Sequence, residues 1–547
     1  AFNTWTMGSA GTTTYVQTDA QYIGEAISTT ALKLNETPTD ILFGKTSGSI
    51  TKGKPTLVEA DGDFAQVTGS TTTISAITGA SVHNAQTGNT GDKFGMASDG
   101  AGVVCAIWQG SSSYAYVAKA TIDSGNTLNW GTPVVLTSDA STFCSAYYDK
   151  TNTFYVVQYS SGNSWYAFRV EGSGSTATAS NVGVYSTSSY GLGSGVSQGV
   201  SVYDETQSCG VTFLGNATSK LGLLTSNQAQ TSASGGTGLG YRGLSSQIGS
   251  AGSSAGRVGL DFDQTNNVGC MWYRDEDNGN YPTVRAFTIN GTTTYGDAVL
   301  GTAVVLISNG TDAYGGIACG SPDSSEWVTV WRESSTELWY STLTLSGTDI
   351  TNTTALAMAR DGSEEYYVEG TQLLTYNPKS KKYYFSYNNS ADNYDIMLKE
   401  LSYSNGAITV DSTIKVIDAS SSYTQNYYWN VKWVGNTTVE AQEGYMLLLG
   451  KYGNPTNSTG TTYYAPEWTK EETNLTSENF IGFADTTSSA NETSKVKIIG
   501  LDVNQSGLTA GQIYYVKNDA TLSETAETGK VVEAGKAISA TKLLIKG

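Results

Sequence analysis

The chain has 547 residues, of which only 14% are charged, with 62 glycines, 35 tyrosines and a formal net charge of -19. Neutralising nucleic-acid phosphates takes clustered Lys and Arg, so this balance excludes a nucleic-acid binder and favours solubility. No apolar run reaches the roughly 18 residues of a membrane helix, so membrane insertion is not expected, while 38% hydrophobic residues suffice for several packed cores.

Residues 1–90 read as an N-terminal β segment and linker. Short strands between Leu42 and Val67 flank a Gly-containing loop and end in the hairpin Ala60-Asp61-Gly62-Asp63-Phe64. The one histidine, His83, falls in a Ser/Thr/Gly-rich stretch and reads as an exposed linker residue. Ala1 follows no basic, apolar leader, a start that initiator-Met removal or signal cleavage would equally leave.

Residues 91–470 repeat one pattern about every fifty residues: an apolar strand, a turn on Asp, Asn or Gly, then two further strands. Phe143 to Asp149 runs through Lys150-Thr151-Asn152 into Phe154 to Tyr159 and then Trp165 to Val170. Leu260 to Asp263, Val268 to Tyr273 and Thr283 to Phe287 keep the same order. Other copies turn at Asp99, Asp204, Pro322-Asp323, Asn377-Pro378 and Gly435-Asn436, where short polar side chains close hairpins. A fourth strand is read at Thr132-Pro133-Val134-Val135-Leu136 and at Thr302-Ala303-Val304-Val305-Leu306. About seven units of this length predict an all-β fold, a β-propeller of about seven blades. Near-continuous apolar runs such as Val103 to Trp108, Glu326 to Trp331 and Tyr383 to Tyr387 suit strands covered on both faces. Stacked β-sandwiches or a β-solenoid are the competing architectures.

The five cysteines, Cys105, Cys144, Cys209, Cys270 and Cys319, fall one per repeat inside strands. They read as core side chains rather than a zinc or disulfide framework, which suits folding in a reducing cytoplasm. The Asn-x-Ser/Thr sequons at Asn216, Asn290, Asn309, Asn436 and Asn474 would matter only on a eukaryotic secretory route.

Catalytic signals are sparse. Asp123-Ser124-Gly125-Asn126-Thr127-Leu128-Asn129-Trp130 is a loose relative of the Asp box of propeller hydrolases, itself a structural hairpin device. Arg274, Arg285 and Arg332 would have to meet in the channel to form an arginine cluster, and they read instead as strand-terminating residues. A Ser-His-Asp mechanism would rest on His83 alone. Asp275-Glu276-Asp277-Asn278-Gly279-Asn280 carries alternating oxygen ligands, but its Gly comes one position early for an EF-hand loop and no twelfth-position Glu follows, so it reads as a solvated acidic turn. No catalytic residue, metal site or cofactor is assigned, and the chain is read as no enzyme. Turn-proximal aromatics, Tyr281, Tyr394, Tyr427, Tyr428, Trp429, Tyr463 and Tyr464, could stack on sugars or pack between blades, so the binding residues stay unknown.

Residues 471–547 read as a small C-terminal β domain that folds with the N-terminal segment. Its segments Ser506 to Val516 and Ala534 to Gly547, with Asn479-Phe480-Ile481-Gly482-Phe483, resemble the carboxyl-terminal module of tail-fibre and other appendage proteins of marine tailed bacteriophages. Gly48 to Pro55 with Asp61-Gly62 is similar to the segment opening the repeats in those proteins. The resemblance implies a virion structural appendage, made in the host cytoplasm and displayed outside the cell, that attaches to the host surface. Its implied partners are other virion proteins and a host cell-surface glycan or receptor, and appendage symmetry implies a homo-oligomer. The alternatives are an extracellular propeller glycan hydrolase and a bacterial surface adhesin or sheath subunit.

Overall fold

The structure is a computed structural model. It describes residues 40–83, 93–123, 125–186, 196–216, 221–226, 241–243, 248, 258–290, 297–308, 313–321, 323–352, 355–360, 362–368, 370–418, 429–435, 444–452, 458–526 and 531–545, and the backbone of three short strands between residues 15 and 34. Two compact units emerge, residues 74–468 and the paired ends 1–73 with 469–547.

Within the larger unit, each repeat folds into its own antiparallel sheet, and the described residues form seven such sheets. Their innermost strands are Phe94–Ser98, Cys144–Asp149, Val196–Asp204, Val258–Asp263, Tyr314–Cys319, Leu374–Asn377 and Asn430–Gly435. Each lies beside the next, and the last lies beside the first. The cores repeat this circle, because one cluster of buried side chains fills each of the seven interfaces between neighbouring sheets, including the seventh with the first. This is a closed β-propeller.

Strand periodicity explains why the middle strands read as continuous apolar runs. In Val103–Gln109, Cys105 and Ile107 enter the core shared with the second sheet, while Val104, Ala106 and Trp108 enter the core shared with the seventh. In Glu326–Ser334, Trp327 and Trp331 face the fourth sheet, whereas Val328 and Val330 face the sixth. Alternation persists, but both faces are apolar. The five cysteines are buried free thiols, Cys144 and Cys319 in inner strands and Cys105, Cys209 and Cys270 in middle strands. Burial pushes each thiol pKa up.

Tight inner packing also requires small residues. A Cβ on Gly95 would sit 2.5 Å from the Ser145 backbone, so that glycine lets the first two inner strands approach. Between the fifth and sixth sheets, the buried Lys399 ammonium meets Glu364 at 2.6 Å, and the same carboxylate accepts from Tyr366 and Tyr387 hydroxyls. Burial alone would push the Glu364 pKa up, but these donors outweigh it and hold the carboxyl below its usual range.

The expected fourth strands are present as one of two pieces, and one other expectation needs correction. The outer strand of the first sheet is interrupted: Leu128–Trp130 and Val134–Val135 both pair with Ala115–Ile122. Pro133, which has no N–H to donate, lies in the break. The fourth sheet repeats the arrangement with Asp297–Leu300 and Val304–Val305. The correction concerns the linker. Ile77–His83 is a strand that pairs antiparallel with Ser458–Ala465, from Ala465 opposite Ile77 to Thr459 opposite His83, and so supplies the outer strand of the seventh sheet. A strand from before the first repeat thus closes the ring. At the inner end of that seam, buried Asn430 donates to Phe94 O (2.8 Å) and accepts from Thr371 N (3.0 Å) and Gln372 N (3.3 Å).

The smaller unit contains the same five-stranded sheet twice. The first has spatial order Ile41–Lys45, Thr493–Lys497, Phe480–Ala484, Pro55–Val58, Phe64–Gln66; the second has Gly500–Asp502, Lys542–Ile545, Glu533–Ser539, Ile513–Val516, Leu522–Ser523. Hydrogen bonds match one for one. Gly53 N donates to Ala484 O as Gly511 N donates to Ala537 O, both at 2.7 Å, and Gly62 N donates to Glu59 O as Ala520 N donates to Lys517 O, both at 3.0 Å. Asp61 accepts from Asp63 N as Asp519 accepts from Thr521 N. Each copy also has a bulged strand with glycine at a φ few other residues adopt, Gly482 at 147° and Gly535 at 145°. Side chains of both copies form one core, with Leu57, Ala65 and Phe483 against Tyr514, Val516, Leu543 and Ile545. In chain order the propeller is inserted between the third and fourth strands of the first copy, where the second copy has only residues 524–532.

Two outcomes follow. Asn430→Ala leaves three backbone groups without their partner at the seam and lowers unfolding free energy in urea by about 2–4 kcal/mol, with a change under about 0.5 kcal/mol counting against the seam's role. Joining residues 1–74 to 468–547 through an Asn-Gly turn gives a chain that unfolds cooperatively on heating, because its core needs no propeller residue; a non-cooperative melt would contradict the inserted-module account.

Candidate functional site at the mouth of the central channel

The inner strands deliver their last residues to one end of the channel, where the Asp and Asn turns begin. Asp149 and Asp263 cap these turns in the same way. Asp149 Oδ1 accepts from Asn152 N and Oδ2 from Asn152 Nδ2, both at 2.9 Å; Asp263 Oδ2 accepts from Asn266 Nδ2 at 2.8 Å. At Asp204 the fourth turn residue is Gln207 instead. Its N–H reaches Oδ1 at 3.0 Å, but buried Oδ2 meets no protein donor. Burial therefore pushes the Asp204 carboxyl up to about 6, against the hydrogen bonds from the Gln207 and Thr206 backbone.

These turns hold a cavity of about 280 Å³, near the lower end of the roughly 300–1,000 Å³ of small-molecule sites. Among the side chains that line it are Tyr148, Lys150, Glu205, Asp261, Gln264 and Lys432, from sheets two, three, four and seven. Lys150 pairs with Glu205 at 2.7 Å. Gln264 ties two sheets together, donating to Tyr203 O at 2.5 Å and accepting from Glu205 N at 2.9 Å. Tyr147 and Tyr203 stack at 6.1 Å, and Tyr148 packs on Tyr155 at 4.8 Å. Asp261 accepts from Cys319 N at 2.8 Å; burial raises its pKa, opposed by the charge of Lys432. Lys432 makes no hydrogen bond or ion pair with the described residues, which leaves its ammonium available to a ligand. Burial, then Asp99 and Asp149, likewise raise the Tyr148 pKa. The mouth thus joins a phenol ring to carboxylate acceptors and an ammonium donor, groups that can hold a polyhydroxylated ligand.

The residues singled out in the sequence lie elsewhere. Arg274 pairs with Glu276 at 3.5 Å, Arg285 donates to Gly301 O at 2.7 Å, and Arg332 lies over Tyr314 and Tyr367; none lines the mouth. Asp123 caps the hairpin leading to Leu128–Trp130, accepting from Gly125 N, Thr127 N and Asn129 Nδ2. Glu276 to Asn278 form a short 3-10 turn closed by Gly279 at φ 67°. Trp429, Tyr463 and Tyr464 are buried in inter-sheet cores, so for these three the packing reading holds. Tyr281 is half-buried, and Tyr394 makes an edge contact with Tyr367. Tyr427, Tyr428, Pro322, Asn309 and Asn436 lie outside the described residues, as does the side chain of His83. Asn474 is engaged through its amide, donating to Gln66 O and accepting from Thr68 N. The mouth residues were not singled out, although Tyr148, Lys150, Glu205 and Gln264 each flank a turn aspartate that was, or its equivalent in the next repeat.

No protein-family model matches the chain, and no curated protein sequence matches it. Among solved structures it is similar to an Aleuria aurantia lectin mutant in complex with alpha-methyl-L-fucoside (11% identity, 60% of this chain and 97% of that one, TM-score 0.36). It is also similar to the BP39L lectin of Burkholderia pseudomallei (8%, 67% and 99%, 0.42) and to a protein described as a 6-phosphogluconolactonase from Bacteroides uniformis (12%, 69% and 96%, 0.40). The propeller assignment rests on the chain's own topology.

The Asp204 turn gives a signed pH dependence. Its folded pKa lies above the unfolded value, so folding favours the protonated acid, and this carboxyl's contribution to stability is full below about pH 4 and lost as pH rises through about 6, on the order of 2–3 kcal/mol. Gln207→Asn supplies the missing amide and flattens that fall in denaturant titrations at pH 4 and pH 8; an unchanged difference between the two pH values would show that Oδ2 is not the cause.

Proposed function

We propose that this chain is a carbohydrate-binding propeller, without hydrolytic activity, carried on a virion surface appendage. The observation that carries the binding part is the channel mouth, where Tyr148, Asp261 and Lys432, which has no hydrogen bond or ion pair with a described residue, line one cavity. Sugars bring hydroxyl groups that need acceptors and donors, and apolar faces that stack on rings. Both are present there. Against hydrolysis stands the separate engagement of Arg274, Arg285 and Arg332. The appendage part is supported by the terminal segments 48–55, 479–483, 506–516 and 534–547, which carry the resemblance to phage tail-fibre modules and whose described residues include several strands of the duplicated sheets. Such an appendage would meet other virion proteins through one part and host glycan through another, and several copies would add avidity.

The test is a glycan array probed with the intact chain, followed by titration of the best ligand into Tyr148→Ala and Lys432→Gln. Each substitution weakens binding at least about ten-fold, equivalent to about 1.4 kcal/mol. Wild-type affinity in both variants would remove the site, release of new reducing ends would overturn the non-enzymatic assignment, and absence of the chain from purified particles would overturn the virion role.

A further inference from the structure

The duplication supplies an internal control for side chains that the fold does not need. The turn Thr51-Lys52-Gly53-Lys54 and its counterpart Thr509-Ala510-Gly511-Gln512 have the same backbone: Lys54 N donates to Thr51 O at 3.1 Å and Gln512 N to Thr509 O at 3.2 Å, with the glycines at φ 80° and 89°. Alanine and glutamine therefore suffice where the first copy has two lysines. Both lysines line a cavity of about 440 Å³, larger than the channel mouth and closed on its other side by Asn504, Gln505, Ser506 and Thr521 of the second copy. Neither ammonium has a hydrogen bond or ion pair with a described residue. The nearby acids are already engaged: Asp502 by Asn504 and Gln505, Asp519 by Thr521, and Glu524 by the Tyr514 hydroxyl. Gln505 also donates to Gly53 O at 2.8 Å, fixing one wall of the cavity against the other.

We propose that this cavity binds an oxyanion, a carboxylate or phosphate-type group, held by Lys52 and Lys54 with hydroxyl and amide donors from Ser506 and Asn504. Two ammonium groups with no partner among the described residues, beside neutral donors, favour such a group over a neutral or cationic one. The site lies wholly within the terminal unit and does not depend on the channel mouth.

Calorimetric titration of inorganic phosphate and of glucuronate into the full chain at low ionic strength tests it. Saturable binding of at least one is expected, weakened at least about ten-fold in Lys52→Ala/Lys54→Gln and by added salt. Phosphate alone binding identifies a compact dianion; glucuronate binding identifies a sugar-borne carboxylate. The double variant restores the second copy's own residues and keeps the wild-type melting temperature, and Lys52→Ala alone serves if it does not. No saturable binding of either probe, or equal affinity in the variants, overturns the proposal.

Discussion

Closure of the ring is the constraint on which the propeller depends. Every sheet has two apolar faces, so an open row of seven would leave one face of the first and one of the last in water, with side chains such as Trp108 and Tyr445 exposed. The chain avoids this by bringing Ile77–His83 onto the far edge of the seventh sheet, so that a strand preceding the repeats and a strand ending them share one hydrogen-bonded ladder. Asn430 does the matching work near the axis, linking the sixth, seventh and first sheets. The cost of closing so long a loop grows only slowly with its length and is met once.

The same closure explains the chain's ends. The closing strand pairs with the strand that ends the repeats, and the segments next to these in the chain, residues 69–74 and 468–473, pair as a two-stranded sheet of the terminal unit. There the first copy of the duplicated module is completed by segments more than 400 positions apart, Pro55–Val58 against Phe480–Ala484. The propeller occupies a connection between two strands of that module, a position where an insertion with adjacent ends disturbs little.

Much of this was legible in the sequence, and the exceptions have physical causes. The repeat length, the turn aspartates and the two-sided strands were visible because inner and middle strands must be apolar on both faces and their turns must be capped. Ile77–His83 was not, because an outermost strand packs on one side and Gly79, Ala80 and Ser81 give no hydrophobic alternation. The duplication was hidden because the copies share mainly backbone-determining residues, such as Gly53 with Gly511 and Asp61 with Asp519, while their exposed side chains differ and one copy is split. The channel mouth was missed because Tyr148, Glu205 and Lys432 come from three sheets and converge only once the circle is closed.

Amide hydrogen exchange of the intact chain tests closure most directly. The account predicts that amides of residues 77–83 exchange as slowly as those of 458–465 and lose protection together with Asn430–Gly435 as denaturant is raised. Complete exchange of 77–83 within the mixing time, with the other strands of the seventh sheet still protected, would contradict it.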